Sequence, residues 1–343
     1  MKSIVAHAAK DLRIEEGEAP TPGTGEVLIQ IERGGICGSD LHYYNHGGFG
    51  AVRLREPMIL GHEVSGRVVA VGDGVSGLDV GGLVAVSPSR PCYACKYCVE
   101  GRQNHCLEMR FYGSAMPFPH IQGAFRELIV ADARQCAVAD GLSAAEAAMA
   151  EPLSVVLHAA KGAGDLFAKR VLVTGCGPIG MLAILVARAA GAVEIAATDI
   201  TPFTLDIACK TGADRAHNVA KEPAALQAYA ANKGHFDVLF ECSGVAAALA
   251  SAVPAIRPGG VIMQLGLGGD MMLPLQAMTA KELELRGSFR FHAEFAAAVE
   301  MMRAGRLDVA PLITHTFPLD DAVPAFDLAS DRSKAIKTQI AFV

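Results

Sequence analysis

Two hydrophobic rhythms divide the chain. Residues 1 to about 150 carry short β-branched runs broken by Gly and Asp, such as "EVLIQIERGG" at 26–35 and "EVSGRVVAVGDGV" at 63–75. Runs of this kind, bounded by turn residues, predict strands. From about 153 to 288 the pattern alternates between apolar strand-like runs and helix-period segments. "RVLVTG" at 170–175 predicts a buried strand and Pro178 to Ala190 a helix. "VEIAATD" at 193–199 predicts the next strand, and Pro202 to Thr211 the next helix. "FDVLFEC" and "GGVIMQLG" predict two later strands. That alternation implies a parallel sheet covered by helices on both faces. After 289 the pattern is mixed again, with a helix at "AEFAAAVEMMRAG" and a strand signal at "KTQIAFV". The tail is expected to fold back onto the first domain, and the Ala-rich stretch 144–150 to be an ordinary helix.

Composition narrows the class. A length of 343 residues suits two domains of roughly 150 each. With 51% hydrophobic and 19% charged residues the chain can bury a large core. The net charge of −6 and the lack of a Lys/Arg block argue against nucleic acid or an anionic membrane as partner. No apolar run reaches the roughly 18 residues of a spanning helix, since Arg188 and Glu194 interrupt "GMLAILVARAAGAVEIAA". The N-terminal apolar stretch is too short for a secretory signal. A cytoplasmic protein is expected.

The glycines of "VLVTGCGPIG" follow a strand and open a helix. Gly175 suits the tight turn, Gly177 lets backbone approach a pyrophosphate, and Gly180 lets helix and strand pack closely. Pro178 and Ile179 fall in the first helical turn, where proline's missing N–H costs nothing. The helix N-terminus then offers backbone N–H groups to phosphate. The next strand ends at Asp199, about 20 residues on, where a carboxylate binds a ribose 2′-hydroxyl. Asp199 repels a 2′-phosphate and no Arg or Lys follows in "ITPFT", so NAD is expected over NADP. Cys176, inside the loop, reads as a small spacer.

Nine cysteines change the picture further, because four fall in "CYACKYCVEGRQNHC". Cys92, Cys95, Cys98 and Cys106 have the spacing C-x2-C-x2-C-x7-C. Two-residue gaps let thiolates of one loop converge on one tetrahedral ion, and four thiolates leave no open position. A structural zinc site follows, with His105 a solvated neighbour. A second centre needs about three ligands and an opening. Cys37 in "ICGSDLHYY", His62 in "LGHEVSG", and either Glu63 or Glu151 offer S, N and O donors for a catalytic zinc.

Taken together, "GGICGSDLH", "GHE", the four-cysteine loop, "EPLSV" and "GxGPIG" resemble the zinc-containing medium-chain alcohol/polyol dehydrogenases. The motifs span nearly the whole chain in the expected order. "EPLSV" is the variant of the sorbitol dehydrogenase branch. The resemblance implies a GroES-like β-rich catalytic domain over 1–152 and 289–343, and a Rossmann doubly wound NAD-binding domain over 153–288. It implies that Cys37, His62 and Glu151 surround the catalytic zinc, with Glu63 a direct or exchanging ligand. Ser39 and His42 correspond to the family's proton path, and Tyr43 and Arg290 to substrate-side positions. Leu265, Gly266, Leu267, Phe289 and Arg290 correspond to nicotinamide-side contacts. Homo-dimers or homo-tetramers are implied too.

Two departures bear on specificity. Thr204 stands where sorbitol dehydrogenases often have an arginine, and Phe291 where they have a substrate-touching tyrosine. "MRFYGSAMPFPH" and "LRGSFRF" point within the family to enzymes of a sugar acid, whose carboxylate Arg110 or Arg290 can hold bidentately. A neutral polyol of the sorbitol or xylitol type is the alternative substrate, and a non-catalytic nucleotide-binding protein the alternative class. Ser39 reads equally as a cap of the helix beginning "SDLH", and Asp40 as a capping or ion-pairing residue.

Overall fold

The strand Glu26–Gly35 alternates buried Val27, Ile29 and Ile31 with more exposed neighbours, as a half-buried strand should. It is the centre of a seven-stranded sheet in a computed structural model that describes residues 1–343. Glu63–Val71 pairs antiparallel on one side of it. Leu128–Asp132 and the C-terminal strand Lys337–Ala341 pair antiparallel with the other part of its length. The tail thus returns to the first sheet as its pattern implied. Phe125, Phe326 and Phe342 meet in the core beneath, with ring centroids 6.1 and 6.3 Å apart.

This first unit comprises Met1–Ser154, Phe291–Asp331 and Lys337–Val343. The second comprises Val155–Arg290 together with Arg332–Ile336. Those last five residues lie in the stretch 289–343 that the sequence division places with the first domain. Hydrophobic pattern carries no signal there, because the segment is a short turn between a helix and a strand.

The second unit holds six parallel strands, ordered Arg215–Asn218, Glu194–Asp199, Arg170–Thr174, Phe236–Glu241, Ile256–Gln264 and Glu284–Gly287. In chain order that is 3-2-1-4-5-6, the doubly wound arrangement whose switch point lies beside the first strand. Val171, Leu172 and Val173 are fully buried, as a parallel strand covered on both faces requires. Helices form at Pro178–Ala189 and Pro202–Thr211, each with proline in its first turn. No helix is long and apolar enough to cross a membrane.

Candidate metal and dinucleotide sites

Cys37 ends the run that leaves the central strand and is the N-cap of the helix Gly38–His46. Ser39 is therefore the second helical residue, which corrects its reading as the cap. Asp40 takes the structural task. Its carboxylate is fully buried and accepts from the Cys37 backbone N–H at 3.0 Å and from the Gly61 N–H at 3.1 Å. One side chain thus ties together two segments that each carry a candidate ligand. Gly61 has a φ of +89°, and a Cβ there would lie 2.0 Å from Phe125. Only glycine makes that turn, and the turn delivers His62 and Glu63.

The ligand atoms of Cys37, His62 and Glu63 all lie within 4.8 Å of one another. His62 and Glu63 are buried. The Nδ1 atom of His62 is buried without a hydrogen-bond partner, and the Asp40 Oδ1 atom is 3.7 Å away. Glu151, in the first turn of the helix Ala150–Ala163, is also buried. It stands outside this ligand group but within electrostatic reach of it. Burial pushes its carboxyl up to about 7, opposed by His62 and reinforced by Glu63. Burial opposes charge on His62 too, but Asp40, Cys37 and Glu151 outweigh it and draw the imidazole well above its ordinary range.

A residue that sequence reasoning missed completes the cluster. Lys337 is 2% exposed, and its Nζ donates to both Glu63 oxygens, at 2.7 and 2.9 Å, and to the Ile36 carbonyl at 3.2 Å. Against this one lysine stand Cys37, Asp40, Glu63 and Glu151, all potential anions. A buried excess of negative groups, with donors of mixed S, N and O type, fits a divalent zinc ion. The sheet register explains the space. Gly35 lies opposite Glu63 on one side and Gln339 on the other. A Cβ at Gly35 would sit 2.2 Å from Glu63 Oε2. Gly35→Ala is therefore expected to break the Glu63–Lys337 pair. Breaking a buried pair costs roughly 3–5 kcal/mol, so calorimetry should show a Tm fall of about 5–10 °C. An unchanged Tm would mean that the carboxylate is not held where the structure has it.

The remaining expected residues of this unit fall at different depths. Ser39 is half-buried and His42 exposed, three residues apart on one helical face. The His42 ring lies 5.7 Å from Phe49. Arg110 is exposed on a short strand whose next residue, Phe111, packs 5.5 Å from the His62 ring. Tyr43 lies deepest of this group. It is 2% exposed within the core, and its hydroxyl accepts the Ala115 N–H at 3.1 Å. The apolar neighbours on its helix face outweigh the polar motif around it, and its hydroxyl is not presented at a surface. Phe291 is fully buried and stacks on Phe295 at 5.8 Å.

The four-cysteine loop converges as its spacing implied. All four sulfurs lie within 4.8 Å of one another, with Cys92–Cys98 and Cys95–Cys106 separations of 4.0 Å. Tetrahedral zinc–thiolate bonds give a sulfur–sulfur edge of about 3.8 Å, so the group fits zinc. Backbone N–H groups of Leu107 and Cys98 hold the Cys95 thiol down to about 6, which favours the thiolate. Burial pushes Cys98 up to about 12. His105 is exposed outside the cluster.

In the second unit, a Cβ at Gly180 would lie 1.8 Å from the Gly175 carbonyl, so helix and turn touch there through backbone alone. Asp199 Oδ2 accepts the Cys176 N–H at 2.7 Å, and Oδ1 accepts those of Ile200 and Thr201 at 2.7 and 2.9 Å. Thr204 is buried and donates to the Thr201 carbonyl at 2.8 Å. Its hydroxyl cannot replace an arginine at the ribose. Cys176 is fully buried, consistent with a spacer. Glu241 is a second residue that pattern did not reveal. This fully buried carboxylate accepts from Ser243 N at 2.9 Å, Gly244 N at 3.0 Å and Gln264 Nε2 at 2.7 Å. It thereby fixes the loop that carries Leu265 and Gly266. Leu267 and Phe289 are exposed, and Arg290 has a positive φ of 57°.

Comparison with known proteins now bears on this geometry. Residues 23–140 match the alcohol dehydrogenase GroES-like domain, and residues 178–304 match the zinc-binding dehydrogenase domain. The chain is 41% identical to L-idonate 5-dehydrogenase (NAD(P)(+)) of Escherichia coli K12, over 99% of this chain and 98% of that one. The crystal structure of L-idonate 5-dehydrogenase from that organism superposes with a TM-score of 0.95 at 40% identity, covering 99% and 98% of the two chains. The chain belongs to the zinc-binding alcohol dehydrogenase family. Sorbitol dehydrogenase of Gallus gallus is 34% identical over 98% of this dehydrogenase and 95% of its own length. The protein is thus an oxidoreductase of the alcohol/polyol type that uses zinc and a nicotinamide nucleotide. Its two architectures are those of the family, a GroES-like domain and a Rossmann domain.

Proposed function

We propose that the enzyme reversibly oxidises L-idonate at carbon 5 to 5-keto-D-gluconate, with NAD as the preferred acceptor. The observation that carries this reading is the convergence of Cys37 with buried His62 and Glu63, in a chain 41% identical over 99% of its length to an L-idonate 5-dehydrogenase. The catalytic domain is assigned to 1–152 and 289–343, and the NAD-binding domain to 153–288.

Cys37, His62 and Glu63 hold the catalytic zinc, and Cys92, Cys95, Cys98 and Cys106 the structural one. When bound, the catalytic zinc supplies Lewis acidity that favours the alkoxide of a substrate alcohol, and the dinucleotide supplies the hydride acceptor. Asp40 orients the backbone of Cys37 and of Gly61, the residue before His62. Glu151, with a carboxyl balanced near neutrality, is placed to hold a proton close to the reacting hydroxyl. Ser39 and His42, graded from half-buried to exposed, carry the proton to solvent. Asp199 retains carboxylate lone pairs for ribose hydroxyls, and its charge disfavours a 2′-phosphate. Gly175, Gly177, Pro178, Ile179 and Gly180 receive the pyrophosphate. Leu265, Gly266, Leu267 and Phe289 serve the nicotinamide end. Arg110 and Arg290 are the candidate cations for the aldonate carboxylate, because guanidinium matches it bidentately.

Phe291 favours a sugar acid over plain sorbitol, since it has no hydroxyl to offer a neutral polyol. The 34% identity to a sorbitol dehydrogenase supports polyol oxidation as the second reading. A screen of NADH formation with L-idonate, D-gluconate, sorbitol and xylitol, run in parallel with NADP, separates the two. L-idonate with NAD is expected to give the highest kcat/KM. Turnover of the neutral polyols alone would reverse the assignment. The enzyme is further read as a cytoplasmic homo-dimer or homo-tetramer. Nine cysteines without a disulfide suit a reducing compartment, and exposed Met272 and Leu275 suit a subunit contact.

A further inference from the structure

We propose that Glu241 is a positioning residue that couples the two ends of the dinucleotide site, holding the nicotinamide-side loop 265–267 in register with the glycine turn 175–180. The proposal rests on the reading that these two segments receive the dinucleotide.

Three observations carry it. First, Thr174, Glu241 and Gln264 are the last residues of three neighbouring parallel strands, and they lie side by side in one row of the sheet. Thr174 Oγ1 donates to Glu241 Oε1 at 3.4 Å, and Gln264 Nε2 donates to Oε2 at 2.7 Å. One carboxylate thus spans the strand that feeds the turn and the strand that feeds the loop. Second, the same residue holds the chain between them. The Ser243 N–H donates to Oε1 at 2.9 Å, the Ser243 hydroxyl donates to the same oxygen, and the Gly244 N–H donates to Oε2 at 3.0 Å. The Glu241 backbone carbonyl accepts the N–H groups of Leu265 and Gly266, both at 2.9 Å. Third, the three segments touch through backbone. A Cβ at Gly175 would lie 2.8 Å from Ser243 Cα, and one at Gly268 would lie 1.6 Å from the Gly244 carbonyl oxygen. No flexible side chain stands between turn and loop to absorb a shift, so a displacement of one is passed to the other.

Glu241 is fully buried, so it acts through these segments and not by touching the ligand. The work needs a carboxylate. Both of its oxygens accept, whereas an amide has one accepting oxygen and one donating NH₂. With glutamine at this position the NH₂ must face either Gln264 Nε2 or the Ser243 N–H, and one arm of the link opens whichever way it turns. NADH spans both ends at once and therefore needs their register. A ligand of one end does not.

The test compares NADH with ADP, which carries the adenosine and pyrophosphate but lacks the nicotinamide end, on the intact enzyme. E241Q is expected to weaken NADH binding about tenfold or more, the size of an ordinary coupling between sites, and ADP binding by less than about threefold. Amide hydrogen exchange reads the coupling itself. In the wild type, ADP should slow exchange across residues 264–268, although it does not reach them. In E241Q, at saturating ADP, that protection should be lost. A carboxylate with a merely structural role would lower Tm and weaken ADP and NADH alike, which overturns the proposal, as does a wild-type loop that ADP leaves unprotected. If E241Q does not fold, Gln264→Leu decides, because it cuts the loop arm and leaves the Thr174 and Ser243 donors in place. It should reproduce the selective loss of NADH affinity, and unchanged NADH binding and loop protection would overturn the proposal. Failure of the wild type to bind either nucleotide would instead remove the dinucleotide reading on which the proposal rests.

Discussion

Cys37→Ala is expected to lower kcat/KM for the alcohol substrate by about 10⁴-fold or more, with the protein still folded. The size follows from losing several kcal/mol of alkoxide stabilisation, since each 1.36 kcal/mol is a factor of ten. Retention of fold follows from how the loop is held. Asp40 accepts the backbone N–H of Cys37, and alanine keeps that donor. The Gly61 N–H remains on the other oxygen of the same carboxylate. The frame that presents His62 and Glu63 therefore survives the loss of sulfur. Melting should shift by only a few degrees, dinucleotide binding should be unchanged, and zinc should fall from two ions per chain to one. Wild-type turnover in this variant would exclude Cys37 from the centre.

Cys95→Ala is expected to act on stability. The lobe from Cys92 to Cys106 contains one four-residue helix and one turn of 3-10 helix, and buries few side chains besides Cys98, Asn104 and Cys106. Few buried side chains hold it together. Structural zinc contributes roughly 10 kcal/mol or more to small zinc modules at neutral pH. Removing one of four thiolates should lower Tm by more than about 10 °C and expose the lobe to proteolysis. The Cys37 centre shares no ligand with this loop, so molecules that remain folded should keep kcat within about tenfold. A full zinc complement with unchanged melting would contradict the assignment.

The legible parts of the sequence were those with short-range signals. The parallel strands, their helices and the glycine turn follow from periodicity and from the spacing of Gly175, Gly177 and Gly180. The four-cysteine loop is closed within fifteen residues, so its spacing alone implies the geometry. The catalytic centre was legible only as separate candidates. Glu63 and Lys337 lie 274 residues apart, and only the antiparallel return of the tail brings them together. Nothing in "KTQIAFV" marks its first residue as buried, because lysine at a strand start is ordinarily solvated. Glu241 escaped notice for a related reason: its partners are mainly backbone N–H groups, which every residue carries, so sequence offers no complementary side chain to find. Asp40, read from the sequence as a capping or ion-pairing residue, does cap the Cys37 N–H.

The central claim is that this chain carries two zinc ions in different settings. Crystals of the wild-type enzyme measured on both sides of the zinc absorption edge test it most directly. The account predicts two anomalous peaks per chain, one enclosed by the sulfurs of Cys92, Cys95, Cys98 and Cys106, the other bounded by Cys37, His62 and Glu63 with one side uncovered by protein. A single peak at the four cysteines, with Cys37 and His62 bare in fully active enzyme, would contradict it.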